Sequence, residues 1–515
     1  MKALLMHRDR DFELQRDVAP NAAELTQDLA LDTLFQTMAA GDPFLLEVAK
    51  SAVLASLTER EAILYRQEVL ADCLEQPEVV RELYGIAVAA IEREKKVWGW
   101  MSTRYPEGTL NRATDVLKIF IELFHQIRRT LDERGSGFRS AGFRRLFEML
   151  RTELSDEYMK IVEEHLDRLE FRSGVFMRAR LGEGCKGVDY ILNKPPEVKQ
   201  SWLERIQSWA GSVKGNGTEY VYEVDSRDEA GLRALSDLRV EGIGRIAAAI
   251  AQSMDHILGF FSMLRLELGF YIGCLNLRDR LAQKQEPICF PEVVAMGNPM
   301  FVCRGLYDVC LSLNLDGRAV GNDVNGGDKT LTIITGANRG GKSTFLRSVG
   351  LAQMMMQCGM FVAAESFRAN VCKGIFTHFK REEDAGMRSG KLDEELSRMS
   401  AIVDRVTPQS IVLFNESFAS TNEREGSQIA RQIVSALLEM GIKVFYVTHL
   451  FDLADGLYRT RMQSALFLRA ERLNGGQRTF RLLEGEPLPT SFGEDLYERI
   501  FDGTQVAAAA TNLPN

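Results

Sequence analysis

The residues Gly336-Ala-Asn-Arg-Gly-Gly-Lys-Ser-Thr344 follow the β-branched run Leu331-Thr-Ile-Ile-Thr335 and open a helical stretch, Thr344–Cys358. The spacing is G-x-x-x-x-G-K-S, with a buried strand before it and a helix after it. Glycines at these positions let successive backbone N–H groups converge on phosphate oxygens, and the helix N-terminus adds a favourable field. In such a loop the lysine, here Lys342, reaches the β- and γ-phosphates, and the hydroxyl of Ser343 ligates Mg²⁺. The expected nucleotide-binding set is Gly336, Ala337, Asn338, Arg339, Gly340, Gly341, Lys342, Ser343 and Thr344, and the expected cofactors are ATP and Mg²⁺.

Two further strand ends carry chemistry. Ile411-Val-Leu-Phe414 is apolar and ends in Asn415-Glu416. Nucleotide hydrolases of this kind place an aspartate at the first position to hold the metal and a glutamate at the second to orient water. Asn415 still accepts a hydrogen bond from metal-bound water but brings no charge. Two readings therefore stay open: hydrolysis with weakened metal affinity, and nucleotide binding with little turnover. The run Lys443–Thr448 ends at His449, which at the carboxyl edge of a strand can contact the γ-phosphate or the attacking water. The catalytic set is Lys342, Glu416 and His449, and the metal set is Ser343 and Asn415.

These residues need a sheet to hold them. From about residue 286 to 503, short β-branched runs alternate with helical ones such as Gly426–Met440, the pattern of a parallel sheet covered by helices. Residues 28–134 read as helical throughout, with Leu31, Leu34, Phe35 and Met38 on one stripe. Asp42-Pro43 breaks that region, Thr58 is placed to cap the next helix, and Gln76-Pro77 ends it. Leu117–Ile127 reads as a core helix. Two short strands around Gly182–Gly187 form a hairpin, Glu219–Val224 is a strand, and residues 230–285 are helical again. The tail 504–515 is of low complexity and reads as disordered. Met354, Met355, Met356 and Met360 read as core filling, and Trp98 and Trp100, which flank Gly99, as helix-end packing rather than base stacking; Cys358 and Cys372 read as buried thiols.

Composition agrees with a folded chain: 515 residues, 45% hydrophobic and 26% charged. The eight cysteines include no C-x-x-C pair, against a disulfide framework or a zinc site. No uninterrupted apolar run reaches the ~18–20 residues that span a bilayer, and the N-terminus lacks a cleavable leader pattern. The expectation is a soluble protein of a reducing, cytoplasmic compartment with no membrane partner. The net charge of −9 excludes a simple polycation that coats nucleic acid, yet local basic surface is present. Arg128, Arg129, Arg134, Arg139, Arg144, Arg145 and Arg151 crowd one stretch, and Arg172, Arg178 and Arg180 fall in the hairpin region. Arg178 and Arg180 share a face if the strand keeps its period of two. Arg139, Arg144, Arg145, Arg178 and Arg180 are the candidate DNA contacts, against the plainer reading of a solvated mixed-charge face.

Three stretches, GANRGGKST, the NES-x-x-x-T-N-x-x-x-G run from Asn415 and VTHLFDLAD around His449, resemble the ATPase domain of the MutS DNA mismatch-repair family. Phe367–Glu383 is similar to the family's approach to its signature loop. Ser389 and Gly390 match the site that family offers to ATP on the opposite subunit. The likeness is strong over about 286–500 and weaker over 28–134 and 230–285, which look like the family's core and lever helices. It implies a multidomain α and α/β fold. An N-terminal segment (1–27) precedes a helical core and lever (28–134 and 230–285) with a reduced clamp-like insertion (135–229). A P-loop ATPase domain of the ABC type (286–503) and the tail follow.

Departures from the family are equally legible. From the ~27 residues before the core, the expectation is a chain without the family's mismatch-reading and connector domains, and without the Smr domain of one branch. The family's Asp-Glu is Asn415-Glu416, and its Gly-Arg-Gly is Phe418-Ala419-Ser420. The resemblance implies an ATP-hydrolysing homodimer that clamps double-stranded DNA selected by shape, in mismatch repair or recombination. A nucleotide-gated scaffold, and a clamp on structured RNA or a ribosome, are the alternatives.

Overall fold

The computed structural model describes residues 1–14, 16, 18–97, 106–169, 177–181, 187–192, 229–381, 390–473 and 477–488. Trp98, Trp100, Arg172, the expected strand 219–224, Ser389 and the tail 504–515 lie outside the described residues.

Local chemistry sets the helix ends. Helices α1 (Ala22–Asp28), α2 (Leu31–Ala39) and α3 (Pro43–Leu54) open the chain, and the expected stripe of α2 is buried. The Asp42 carboxylate accepts from the N–H groups of Phe44 and Leu45, while Pro43 occupies a first-turn position that needs no donor. Thr58 does not cap α4 (Arg60–Glu75): Glu59 holds the cap position, without a side-chain bond. Gln76 closes α4, and Pro77 opens α5 (Pro77–Lys96). After α6 (Pro106–Arg134), α7 (Ala141–Glu153) and α8 (Asp156–Leu169), strands β1 (Met177–Leu181) and β2 (Gly187–Leu192) form the expected antiparallel hairpin. Helix α9 (Glu229–Gln283) follows.

The chain forms two compact units, one of Met1–Ala3, Glu82–Ser136 and Leu146–Arg265, the other of Leu4–Arg81, Gly137–Arg145 and Leu266–Asn515. In the first, Phe120 and Phe124 of α6 pack on Phe261 of α9, with ring centroids 5.3 and 4.9 Å apart. Lys118 pairs with Asp167 at 2.8 Å, joining α6 to α8.

The second unit divides the chain differently from the expected core of 28–134 and 230–285. It takes α1–α4 and the end of α9 together with the sheets, because buried polar groups find their partners there. Arg66, fully buried, donates to the carbonyls of Met6 (2.8 Å) and Cys358 (3.4 Å). Asn21 donates to Ile375 O at 2.8 Å. The buried Glu267 carboxylate accepts from the N–H groups of Leu5, Met6 (3.2 Å) and Phe12 (3.2 Å). Asp72 accepts from the N–H groups of Arg139 and Ser140, anchoring 137–145. The N-terminal segment is thus part of the core.

The second unit continues through β3 (Glu292–Val294), β4 (Phe301–Leu306), α10 (Val309–Asn314), β5 (Asn322–Gly327), β6 (Leu331–Gly336), α11 (Lys342–Gln357), β7 (Ser366–Asn370) and β8 (Ile375–Phe379). Next come α12 (Lys391–Val403), β9 (Ile411–Asn415), α13 (Glu423–Glu439), β10 (Lys443–Val447), α14 (Phe451–Arg459), β11 (Ala465–Arg472) and β12 (Arg478–Glu484). The larger sheet has the order β12-β11-β6-β10-β9-β8, parallel except for β12. The smaller has the order β3-β7-β4-β5. Leu331, Ile333, Val412, Phe414, Val444 and Tyr446 of the larger sheet share one core with Ala430, Val434 and Leu437 of α13. Met354, Met355, Met356 and Met360 are buried, as expected of core filling, and so are Cys358 and Cys372. Burial pushes both thiols up to about 12, which keeps them protonated and unreactive.

Within α9, Ile243–Gln283 is long and apolar enough to cross a bilayer by length and composition, with mean hydropathy 1.4 in its most apolar window. Since 61% of that window is buried in the protein, its apolar residues serve the core.

Candidate functional site

The parallel strands β6, β10 and β9 lie side by side, so residues after their carboxyl ends converge on one edge. The loop from Gly336 to Gly341 leaves β6 and turns directly into α11. Gly336 has φ 104°, and a Cβ there would lie 2.8 Å from the backbone nitrogen of Ala470 on β11. Gly341, with φ 89°, would bring a Cβ to 3.2 Å from Phe480 O. Only glycine fits both the torsion and the space.

Lys342 is buried at the first turn of α11. Its Nζ donates to the loop carbonyls of Gly336 (3.0 Å) and Ala337 (2.9 Å). Burial lowers its pKa to about 8, with Glu416 working the other way and Arg478 reinforcing the fall. An anion seated in the loop would restore the charge the ammonium loses to burial.

Ser343 Oγ donates to Asn415 Oδ1 at 2.7 Å. This is a pair of neutral oxygens of the hard type that Mg²⁺ takes, so the donor set fits the ion with one charge fewer than an aspartate would supply. No cluster of three or more His, Cys, Asp or Glu residues suited to a metal occurs among the described residues.

One residue on, Glu416 Oε1 lies 2.9 Å from Nε2 of His449, at the end of β10. The hydrogen bond from His449 holds the Glu416 carboxyl below its ordinary range against the opposing effect of burial, and Lys342 and Lys380 add to the lowering. The glutamate is an ionised acceptor with an imidazole beside it, a pair able to orient water and take its proton.

The sequence-derived residues of the loop, Lys342, Ser343, Asn415, Glu416 and His449 are therefore brought together on one sheet edge. Gly390, the N-cap of α12, is exposed. Two participants carry no signal in the linear sequence. Arg478 on β12 donates through Nε to Asn338 O at 3.2 Å, bracing the loop from a hairpin whose register only the fold defines. Glu395 on α12 accepts from the backbone beyond Glu416.

The candidate DNA-contact arginines are divided between the two units. Arg139, Arg144 and Arg145 belong to the unit that holds the sheets, Arg178 and Arg180 to the other. Arg145 donates to Arg8 O at 2.6 Å, Arg144 donates to Arg139 O, and Arg139 lies 3.9 Å from Glu75. Nearby, Arg128 pairs with Asp156 at 2.9 Å and Arg129 with Glu133 at 3.0 Å. The β1–β2 register shifts between Arg178 and Arg180, with the extra residue on β2. Arg180 is exposed.

A family model described as the MutS2 N-terminal domain matches residues 58–284, and one described as MutS domain V matches residues 332–513. A DNA mismatch repair protein MutS of Clostridium kluyveri is 28% identical over 187 residues, which is 35% of this chain and 21% of that protein. One from Thermotoga neapolitana is 40% identical over 129 residues, 25% of this chain and 16% of that protein. An Endonuclease MutS2 of Lacticaseibacillus casei is 30% identical over 260 residues, 50% of this chain and 32% of that protein. The chain thus spans less than a third of the length of each of these relatives. With its helices matched by one MutS-type domain and the sheet that bears the loop matched by another, the chain belongs to the MutS family.

Proposed function

We propose that this chain is a MutS-type ATPase that binds Mg-ATP on the 336–344 loop, hydrolyses it, and couples the cycle to clamping of DNA. The observation that carries the reading is the Glu416–His449 pair at 2.9 Å, set beside Lys342 and the Ser343–Asn415 pair. Lys342 neutralises the β- and γ-phosphates, and the loop N–H groups hold them. Glu416 accepts a proton from the attacking water, and His449 keeps that carboxylate ionised and aimed. Ser343 and Asn415 would hold Mg²⁺, which when bound neutralises charge on the phosphates. In a homodimer, Ser389 and Gly390 of one copy complete the site of the other. Arg139, Arg144, Arg145, Arg178 and Arg180 remain the candidate phosphate contacts on double-stranded DNA.

The test is steady-state ATP hydrolysis with Mg²⁺ titrated, alone and with matched, mismatched and branched duplexes at fixed salt. Turnover altered by one class of DNA supports a DNA-coupled ATPase. Turnover unaffected by every class removes the coupling.

A second reading, a nucleotide-gated scaffold with little turnover, is favoured by Asn415. Its oxygen is already engaged by Ser343 and is uncharged. Asn415→Asp separates the two. If the site hydrolyses with a weakly held metal, the half-saturating Mg²⁺ concentration falls roughly tenfold, the gain of a charged over a neutral acceptor. A scaffold would bind nucleotide more tightly without gaining turnover.

A further inference from the structure

The turn that presents Glu416 is held in a backbone conformation that side chains enter at a cost: φ is 55° at Glu416 and 61° at Phe418. A glycine at 418 would take this torsion freely. With phenylalanine there, the conformation depends on its contacts.

Four residues of the turn, Glu416, Ser417, Phe418 and Ser420, are tethered. The Glu416 N–H donates to Val447 O on β10 at 2.9 Å. The Ser417 carbonyl accepts from the Tyr446 hydroxyl at 2.8 Å, and the Ser417 hydroxyl lies 2.7 Å from His378 Nδ1. Phe418, fully buried, stacks on the His378 ring at 5.2 Å and 19°. These partners stand on strands of the same sheet. The remaining tether does not. The Phe418 N–H donates to Glu395 Oε2 at 2.9 Å and the Ser420 hydroxyl to Glu395 Oε1 at 3.0 Å, and Glu395 stands on α12.

Glu395 is buried, and both its carboxylate oxygens are used by the turn. Its backbone carbonyl lies 2.9 Å from His378 Nε2. Burial lowers the pKa of His378 to about 4, so the ring is neutral: Nε2–H donates to Glu395 O, while the Ser417 hydroxyl beside Nδ1 donates to the His378 carbonyl at 2.6 Å. Carboxylate and imidazole together join the first turns of α12 to the turn behind Glu416. Helix α12 begins at Lys391, directly after Gly390, so a displacement at its N-terminal end reaches the Phe418 amide through one side chain.

We propose that Glu395 is a positioning residue for Glu416, linking α12 to the 416–420 turn so that whatever engages the Gly390 end of α12 resets the Glu416 carboxylate against the 336–344 loop. The proposal rests on the hydrolytic reading above and deepens it. The occupant that fits that end is the polyphosphate held on a second copy of this chain. Because such coupling is reciprocal in binding free energy, nucleotide at one site would also favour engagement of α12 at the other.

The experiment compares Glu395→Ala, Glu395→Gln and wild type as the full chain, with Glu416→Gln as the control for hydrolysis. Glu395→Ala is expected to lower kcat roughly tenfold or more, the effect of leaving a buried N–H without its acceptor, while KM for ATP stays within about twofold. Glu395→Gln keeps one oxygen for Phe418 and recovers most of kcat. Amide exchange supplies the second readout. In wild type a non-hydrolysable ATP analogue slows exchange in 391–403 and 416–420 together, whereas in Glu395→Ala it protects 391–403 alone. Unchanged kcat in Glu395→Ala, a raised KM shared by both variants, or joint protection of the two segments in Glu395→Ala would overturn the proposal. If Glu416→Gln leaves turnover intact, the hydrolytic reading fails by itself, and the exchange comparison still decides whether Glu395 links the two segments.

Discussion

Glu416→Gln is expected to lower steady-state ATP turnover by roughly a hundredfold to ten-thousandfold, the range for losing a general base, while nucleotide binding persists. The substitution keeps the shape of the side chain and removes its charge and its ability to take a proton. The binding determinants lie elsewhere: Lys342 on the loop carbonyls and the glycine backbone between Gly336 and Gly341. The measurement is kcat beside the equilibrium affinity for an ATP analogue. Turnover within about twofold of wild type would take Glu416 out of the mechanism, since no general base is replaced so cheaply. A loss of both turnover and affinity would mean that the amide had disturbed Lys342, whose charge Glu416 supports.

The second large effect concerns stability. Glu267→Ala removes the acceptor of three backbone N–H groups, those of Leu5, Met6 and Phe12, in a site that water does not reach. Each unsatisfied buried donor costs about 1–3 kcal/mol, so the loss is about 3–5 kcal/mol, limited by release of the segment into water. The N-terminal segment would come away from Arg66 and Tyr271, which hold the carbonyls of Met6 and Leu5. A lower unfolding midpoint, together with cleavage by trypsin at Arg8 and Arg10 at least roughly tenfold faster, is the expected result. Unchanged stability and cleavage would show that the segment is held by its apolar contacts alone.

The same carboxyl sets a pH dependence. Burial raises Glu267 from 4.5 to about 7, with Asp11 adding to the rise and the three backbone donors opposing it. A carboxyl whose pKa is higher folded than unfolded contributes stability that is full below about 4.5 and is lost as pH rises through about 7. Wild-type stability should therefore decline across that window, and Glu267→Ala should flatten the decline. A slope that persists in the variant would assign it to another group.

Much of the candidate site was legible in the linear sequence, because a glycine-rich loop of the phosphate-binding type has its glycines, lysine and hydroxyl at fixed local spacing. Gly336, Lys342 and Ser343 are separated by one turn of chain, and their geometry follows from the strand before them and the helix after them. Asn415, Glu416 and His449 were legible for a related reason: each ends a β-branched run, and parallel strands deliver their carboxyl ends to one side. The helix boundaries at Asp42-Pro43 and Gln76-Pro77 came from the same kind of local chemistry, whereas the cap assigned to Thr58 did not form.

What the linear order did not contain were partners set by distance in the fold. Glu267 and the amides of Leu5 and Met6 lie more than 260 residues apart in the chain, and nothing in either stretch announces the other. Arg66 reads as one more basic residue on an amphipathic helix until it is found fully buried against Cys358 O, and Asp72 as an ordinary acid until it anchors Arg139 and Ser140. These buried polar contacts draw α1–α4 and residues 137–145 into the unit of the sheets and leave Arg139 and Arg178 in different units. The left-handed backbone at Phe418, where a glycine would be expected, is likewise held by Glu395, His378 and burial, none adjacent to it in the chain. By itself the sequence determined the loop, the strand ends and the helix stops, because their physics acts within a few residues. Only the tertiary structure decided which buried charges are satisfied and which segments form one unit, because a buried polar group takes whichever partner the fold brings within about 3 Å.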